Sequence, residues 1–203
     1  MNRRRAGLGL TLAGLLAGCG GLSAPPAHRY FVLESAPTRL APGALQRDAM
    51  LLVAPTTAAS FYDTQEIIYS RRAGERAYYQ LSSWTEPPNR GLGSLLAARI
   101  ALGGAFRGAV ETASGVRGGL LLRTHLLELY HDAVAAPGTA RATLSAELSD
   151  PGSRSLVARR SFTASVPVAS HDAAGAVQGF GQALGQVLDE VAAWAAEAAA
   201  GAR

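Results

Sequence analysis

Lysine is absent from this chain of 203 residues. All 19 basic residues are Arg, set against 15 acidic residues for a formal net charge of +4. Without Lys, a phosphate-binding P-loop has no residue to reach the phosphates. Cysteine occurs once, at Cys19, which excludes an internal disulfide framework and a cysteine-based zinc site. Charged residues make up only 17% and apolar ones 48%, so wholesale disorder is excluded. No apolar run reaches the roughly 20 residues that a membrane-spanning helix needs. A basic stripe interleaved with aromatics is also missing, which argues against nucleic acid as a partner. Three of the Arg residues, Arg3, Arg4 and Arg5, sit together at the start.

Catalytic and metal-binding motifs are equally hard to find. Residues 91–95 (GLGSL) do not match the G-x-S-x-G of a nucleophile elbow. The Gly179-Phe180-Gly181 segment has the wrong spacing for a dinucleotide loop and falls within an expected helix. His125, Glu128 and His131 form H-x-x-E-x-x-H. On a strand the two His share one face and Glu128 points to the other, so no zinc triad results. His28 and His171 fall in a tether and a loop.

What is present begins at the N-terminus. The three Arg are followed by about a dozen apolar residues, which suits a signal-peptide h-region. The stretch ends in Leu16-Ala17-Gly18-Cys19. This tetrapeptide resembles the lipobox of bacterial lipoproteins, in which Leu16, Ala17 and Gly18 are read by the signal peptidase and the Cys19 thiol accepts diacylglycerol. Cleavage there removes residues 1–18 and leaves a mature chain close to neutral. Residues 19–28 form the lipidated cysteine and a Gly- and Pro-rich flexible tether. With two or three acyl chains the mature protein is anchored rather than spanning. Gly20, in place of the Asp that retains enteric lipoproteins at the inner membrane, points to the periplasmic face of the outer membrane.

From residue 29 to 203 the pattern predicts one α+β domain. A mostly antiparallel or mixed sheet is packed by two helices, one mid-chain and one long and C-terminal. Residues 29–34 (RYFVLE) and 49–54 (AMLLVA) read as strands, with a loop over 36–46 between them. Residues 65–70 and 76–83 read as a hairpin. Thr85 is an N-cap candidate for a helix whose Leu92, Leu95, Leu96 and Ile100 recur at helical spacing, stopped by Gly103-Gly104. Residues 119–131 form a further strand. Residues 142–148 and 156–166 alternate apolar with polar, as an antiparallel hairpin would, around the turn Asp150-Pro151-Gly152. There Gly152 is expected to take the positive φ. The chain closes with a helix over 173–199, capped by Ser170 or Asp172. Its apolar stripe runs through Val177, Phe180, Leu184, Val187, Val191, Trp194 and Ala198. That stripe fits the domain's own sheet, or a second helix of a partner. Gly175, Gly179, Gly181 and Gly185 within it suggest close backbone approach or a frayed first turn.

Taken in order, Tyr30-Phe31-Val32-Leu33, Leu51-Leu52-Val53-Ala54-Pro55, Phe61-Tyr62-Asp63, Gln65-Glu66-Ile67-Ile68-Tyr69 and Tyr78…Trp84-Thr85-Glu86-Pro87-Pro88 resemble the ABC-type transport auxiliary lipoproteins, which include paraquat-inducible protein C-like lipoproteins. The motif residues carried over are Tyr62, Asp63, Trp84 and Pro87, in structural roles. Phe61-Tyr62-Asp63 lacks the Leu of the family's turn, and Pro88 replaces an aliphatic residue. The resemblance implies a non-enzymatic role in moving phospholipids or other hydrophobic molecules. It also implies a periplasmic partner with a mammalian-cell-entry (MCE) domain, an ABC permease and an ATPase. The only non-protein group expected is the diacylglycerol or acyl lipid on Cys19; no metal or cofactor is expected. A homo-oligomeric ring matching an oligomeric MCE protein is a further expectation. Two other readings stay open: an accessory, pilotin-like lipoprotein of another envelope assembly, and a lipid-anchored hydrolase.

Overall fold

The computed structural model describes residues 26–35 and 47–201. The signal segment, Cys19 and the expected loop over 36–46 lie outside the described residues. Nine strands and two long helices follow one another as β1 (Arg29–Phe31), β2 (Arg47–Val53), β3 (Thr57–Ala58), β4 (Glu66–Ser70), β5 (Ala77–Trp84), α1 (Asn89–Gly103), β6 (Phe106–Glu111), β7 (Leu120–Asp132), β8 (Thr139–Asp150), β9 (Ser155–Pro167) and α2 (Ala173–Gly201).

The spine of the sheet is β7. One of its edges pairs along its length with antiparallel β8, which pairs in turn with antiparallel β9. The other edge is shared by three parallel strands: β2 at its start, β3 in the middle and β4 at its end. Beyond β2 lies parallel β6, and beyond β4 lie antiparallel β5 and then β1, parallel to β5. The architecture is therefore α+β with a mixed sheet.

Alternation in β8 sorts its residues by face. Ala140, Ala142, Leu144, Ala146 and Leu148 are buried, and the residues between them are polar and partly exposed. In β7 the alternation changes phase, because Leu127 is an extra residue between the rungs Leu126↔Leu144 and Glu128↔Thr143. A bulge of this kind inverts every later side chain relative to the earlier ones.

Both helices cover the buried face. Phe180, Leu184, Val187, Leu188 and Val191 of α2 are at most 1% exposed, and α2 packs on β8 and β9. Trp194 meets Phe162 edge to face, with centroids 5.6 Å apart. Each such side chain contributes about 1.5–3 kcal/mol by burial. The α2 stripe is thus spent on the chain's own sheet, and a ring of copies would need another surface. Asp172 caps α2 by accepting the Gly175 N–H at 2.8 Å, and Ser170 steadies the cap by donating to Asp172 at 2.8 Å.

The helical glycines mark close approach. A Cβ on Gly179 would lie 2.7 Å from Ala140 Cβ, and one on Gly181 would collide with the backbone carbonyl oxygen of Glu34.

Two local expectations are corrected. Helix α1 starts at Asn89, not near Thr85, and its N-cap position is Pro88 with no side-chain cap bond. Consecutive prolines hold the preceding residues extended, which delays the helix. In the β8–β9 turn Asp150 Oδ1 accepts the Gly152 N–H at 2.8 Å, but the residue with positive φ is Arg154, at 58°.

Candidate functional site

The motif residues fall into two assemblies at the β4–β5 side of the sheet. In the first, Ser60–Tyr62 makes a short 3₁₀ turn. The backbone N–H groups of Tyr62 and Asp63 close it on the Ala59 carbonyl at 2.7 and 3.2 Å. Asp63 stays exposed. Tyr62 is buried, and its hydroxyl accepts from Arg76 Nε at 3.2 Å. Arg76 also donates to Glu128 Oε1 at 3.3 Å and lies 3.6 Å from the centre of the Tyr130 ring. Burial raises the Tyr62 hydroxyl above its ordinary pKa, against the opposing pull of Arg76. The guanidinium is thus held by two rings and a carboxylate. In front of it Phe61 stacks on Tyr78, with centroids 5.3 Å apart and planes 17° from parallel. Each of these two rings is 40% exposed.

The second assembly joins four elements at Trp84. This residue ends β5, is 2% exposed and packs its ring 5.8 Å from that of Phe180 in α2. Its N–H donates to the Gln65 carbonyl at 2.7 Å, and the next N–H, of Thr85, donates to Phe31 in β1 at 2.8 Å. Pro87 then supplies a carbonyl that accepts the Arg90 N–H at 3.0 Å. Trp84 and Pro87 therefore fasten β1, β5, α1 and α2 together. Asn89, the first residue of α1, donates to the Thr56 carbonyl at 3.4 Å, while its buried Oδ1 has no hydrogen-bond partner among the described residues.

A neighbouring connection was not expected. Arg99 lies on the buried side of α1 with its side chain 1% exposed, and donates to Asp189 of α2 at 3.0 Å. It also donates to Ser35 Oγ at 2.8 Å and to the Ser35 carbonyl at 3.3 Å. Its sequence signal is positional: residue 99 continues the stripe of Leu92 and Leu96.

The histidines separate. Because of the bulge at Leu127, His125 shares a rung with Ser145 on the open face and His131 shares one with Ala140 on the buried face. The two were expected on one face. His125 Nδ1 meets Thr57 Oγ1 at 2.7 Å. His131 is fully buried between the Pro137 carbonyl, 3.0 Å from Nε2, and the Tyr79 hydroxyl, 2.7 Å from Nδ1. The carbonyl can only accept, so Nε2 carries the proton and Nδ1 accepts from Tyr79. Burial holds His131 below its ordinary pKa and raises Tyr79 to about 12. His171 Nδ1 donates to the same Pro137 carbonyl at 3.0 Å. His28 is not loose tether: its Nε2 lies 3.0 Å from Ser83 Oγ and its ring 4.8 Å from that of Tyr30. No acid orients this Ser–His contact among the described residues.

On the open face Arg123, Glu147 and Arg159 share one row across β7, β8 and β9. Arg159 binds Glu147 through both Nε and Nη2. A shallow groove of about 500 Å³ runs beside this row. Among the described residues no three His, Cys, Asp or Glu converge to hold a metal ion. No helix of the described residues is long and apolar enough to cross a membrane.

Comparison with known proteins gives this geometry a context. Protein XCC0632 from Xanthomonas campestris, a DUF330 protein, superposes with a TM-score of 0.74 at 24% identity, over 84% of this chain and 96% of that one. An uncharacterized protein of known structure superposes with a TM-score of 0.64 at 14% identity, over 83% of this chain and 99% of that one. At these identities the likeness shows the fold alone. No match is found among curated proteins. A family model for the ABC-type transport auxiliary lipoprotein component matches residues 31–192, from β1 through most of α2 and across both motif assemblies. The chain belongs to the ABC-type transport auxiliary lipoprotein family.

Proposed function

We propose that this protein is a non-enzymatic auxiliary component of a system that moves phospholipids or other hydrophobic molecules. In this reading Cys19 carries the lipid that holds the protein on the periplasmic face of the outer membrane. The folded domain docks a periplasmic MCE-domain protein, which works with an ABC permease and ATPase. The observation that carries the reading is the family match over residues 31–192. The tetrapeptide Leu16-Ala17-Gly18-Cys19 supports the anchor. Phe61 and Tyr78 support docking: a stacked, half-exposed aromatic pair braced by the Tyr62–Arg76–Tyr130 cluster is a rigid anchor of the kind protein interfaces favour.

The test is co-expression with the MCE-domain protein, followed by cross-linking and purification. The two are expected to be recovered together, and Phe61→Ser with Tyr78→Ser is expected to lower the yield. Failure to recover the pair under cross-linking overturns the docking role.

A further inference from the structure

Strand register identifies the end of the molecule nearest the anchor. The last residues of β4 pair with the last residues of β7, Tyr69↔His131 and Ser70↔Asp132. The β4–β5 turn and the β7–β8 turn are therefore side by side at one end of the sheet. Strand β1 runs parallel to β5, with Arg29↔Ser82 as its first rung. The chain before Arg29 consequently enters from the side of Ala77, where β5 begins, which is that same end. The start of α2 joins it there, since His171 donates to Pro137 in the β7–β8 turn.

We propose that this end of the domain rests on the headgroup layer of the membrane that holds the anchor. The proposal rests on the lipid-anchor reading of Cys19. From Cys19 to Arg29 the chain spans at most about 33–36 Å. The 13 residues of β7 alone extend roughly 43 Å at about 3.3 Å each. The tether leaves Arg29, which pairs with Ser82, in the direction of the β4–β5 and β7–β8 turns, so that end is the one it draws toward the bilayer.

The chemistry of this end suits a lipid surface. Val134 in the β7–β8 turn is 58% exposed. Arg71 of the β4–β5 turn supplies attraction for anionic headgroups, while its neighbour Arg72 is shared with Glu75. The acids nearby are engaged: Glu75 with Arg72 at 3.6 Å, Asp132 with Arg141 at 3.1 Å, and Asp172 with the α2 cap. Attachment through a short tether makes even a weak contact effective, because the local lipid concentration is high.

The test uses the lipidated protein in vesicles of phosphatidylethanolamine and phosphatidylglycerol that contain acyl-chain-brominated phosphatidylcholine. Val134→Trp probes the near end. Leu156→Trp, at a site 56% exposed beside the β8–β9 turn, probes the opposite one. The native Trp84 and Trp194 are 2% and 8% exposed, and the unsubstituted protein gives their background. Bromolipid is expected to quench the V134W probe several-fold more than the L156W probe, and Arg71→Ser with Arg72→Ser is expected to reduce the difference. Equal quenching at both ends, or none at either, overturns the proposal. An emission shift at V134W that follows protein density instead of bromine assigns the surface to a second copy and also overturns it. A chain whose N-terminal peptide carries no lipid overturns the anchor itself, and is distinguished by its mass.

Discussion

Substituting Arg99 should uncouple the two helices from the segment that follows β1. Its guanidinium is bonded to Asp189 at 3.0 Å and to Ser35 Oγ at 2.8 Å, with the Arg side chain 1% and the Asp side chain 16% exposed. Arg99→Met keeps most of the volume but leaves the Asp189 carboxylate and the Ser35 oxygens without their donor. Removing one partner of a buried pair costs about 3–5 kcal/mol. The residual exposure of Asp189 lets water reach it, so the lower end, about 3 kcal/mol, is expected. At an m-value of about 2 kcal/mol/M in urea that lowers the midpoint by roughly 1.5 M. Asp189→Asn keeps an acceptor but strands the buried guanidinium without its counter-charge, so a cost of about 3 kcal/mol is expected there too. Replacing both, Arg99→Met with Asp189→Leu, should cost less than Arg99→Met alone, because no buried charge is left behind. Urea unfolding followed by circular dichroism reads all three. A double variant no more stable than Arg99→Met, or an Arg99→Met variant as stable as the parent, would contradict this expectation.

The glycines, the motif tryptophan and the buried histidine give further expectations. Gly181→Ala drives a methyl into the Glu34 carbonyl and should destabilise by about 1–3 kcal/mol. Gly91→Ala, in α1 with nothing within 4 Å of the new atom, should stabilise by about 1 kcal/mol; a thermal melt that rises for Gly181→Ala, or falls for Gly91→Ala, contradicts the corresponding expectation. Trp84→Ala should cost about 3–5 kcal/mol while leaving lipidation of Cys19 intact, as checked by melting and by membrane fractionation. His131 is held below its reference value of 6.5, so the unfolded chain takes up the proton first. Its contribution is fully present above about pH 6.5 and is lost as pH falls from there toward the lower folded value. Melts between pH 8 and 5 should show that decline, and His131→Gln should flatten it. Asp150 and Asp172, both depressed by hydrogen bonds, begin to act only below about 3.8.

Much of the fold was legible because its signals are local. Strict alternation in β8 and β9 reported a half-buried hairpin, and Asp172 with the spacing from Val177 to Trp194 reported α2. Strand β6 went unread: Phe106–Glu111 is six residues long and contains a glycine whose absent side chain makes room for Met50. The phase change in β7 was invisible, since Leu126-Leu127 gives no sign of which leucine is the extra one. Helix α1 was found, but its start was displaced by Pro87-Pro88.

The site follows the same logic. Tyr62, Asp63, Trp84 and Pro87 were legible as motif positions, yet what they touch was not. Arg76 meets Tyr62, Glu128 and Tyr130 only because β7 lies beside β4 in the same sheet, and no short-range spacing encodes such a pairing. Arg99 was readable in principle, as a charge on an apolar stripe whose partner Asp189 lies ninety residues away.

The most direct test of the account is the mass of the N-terminal peptide of the chain made in a Gram-negative host, read together with membrane fractionation. The expected peptide begins at Cys19 and carries diacylglycerol, the intact protein sediments with the outer membrane, and a Cys19→Ala chain loses both lipid and membrane. A mature chain that starts elsewhere, or an unmodified Cys19 thiol, would contradict it.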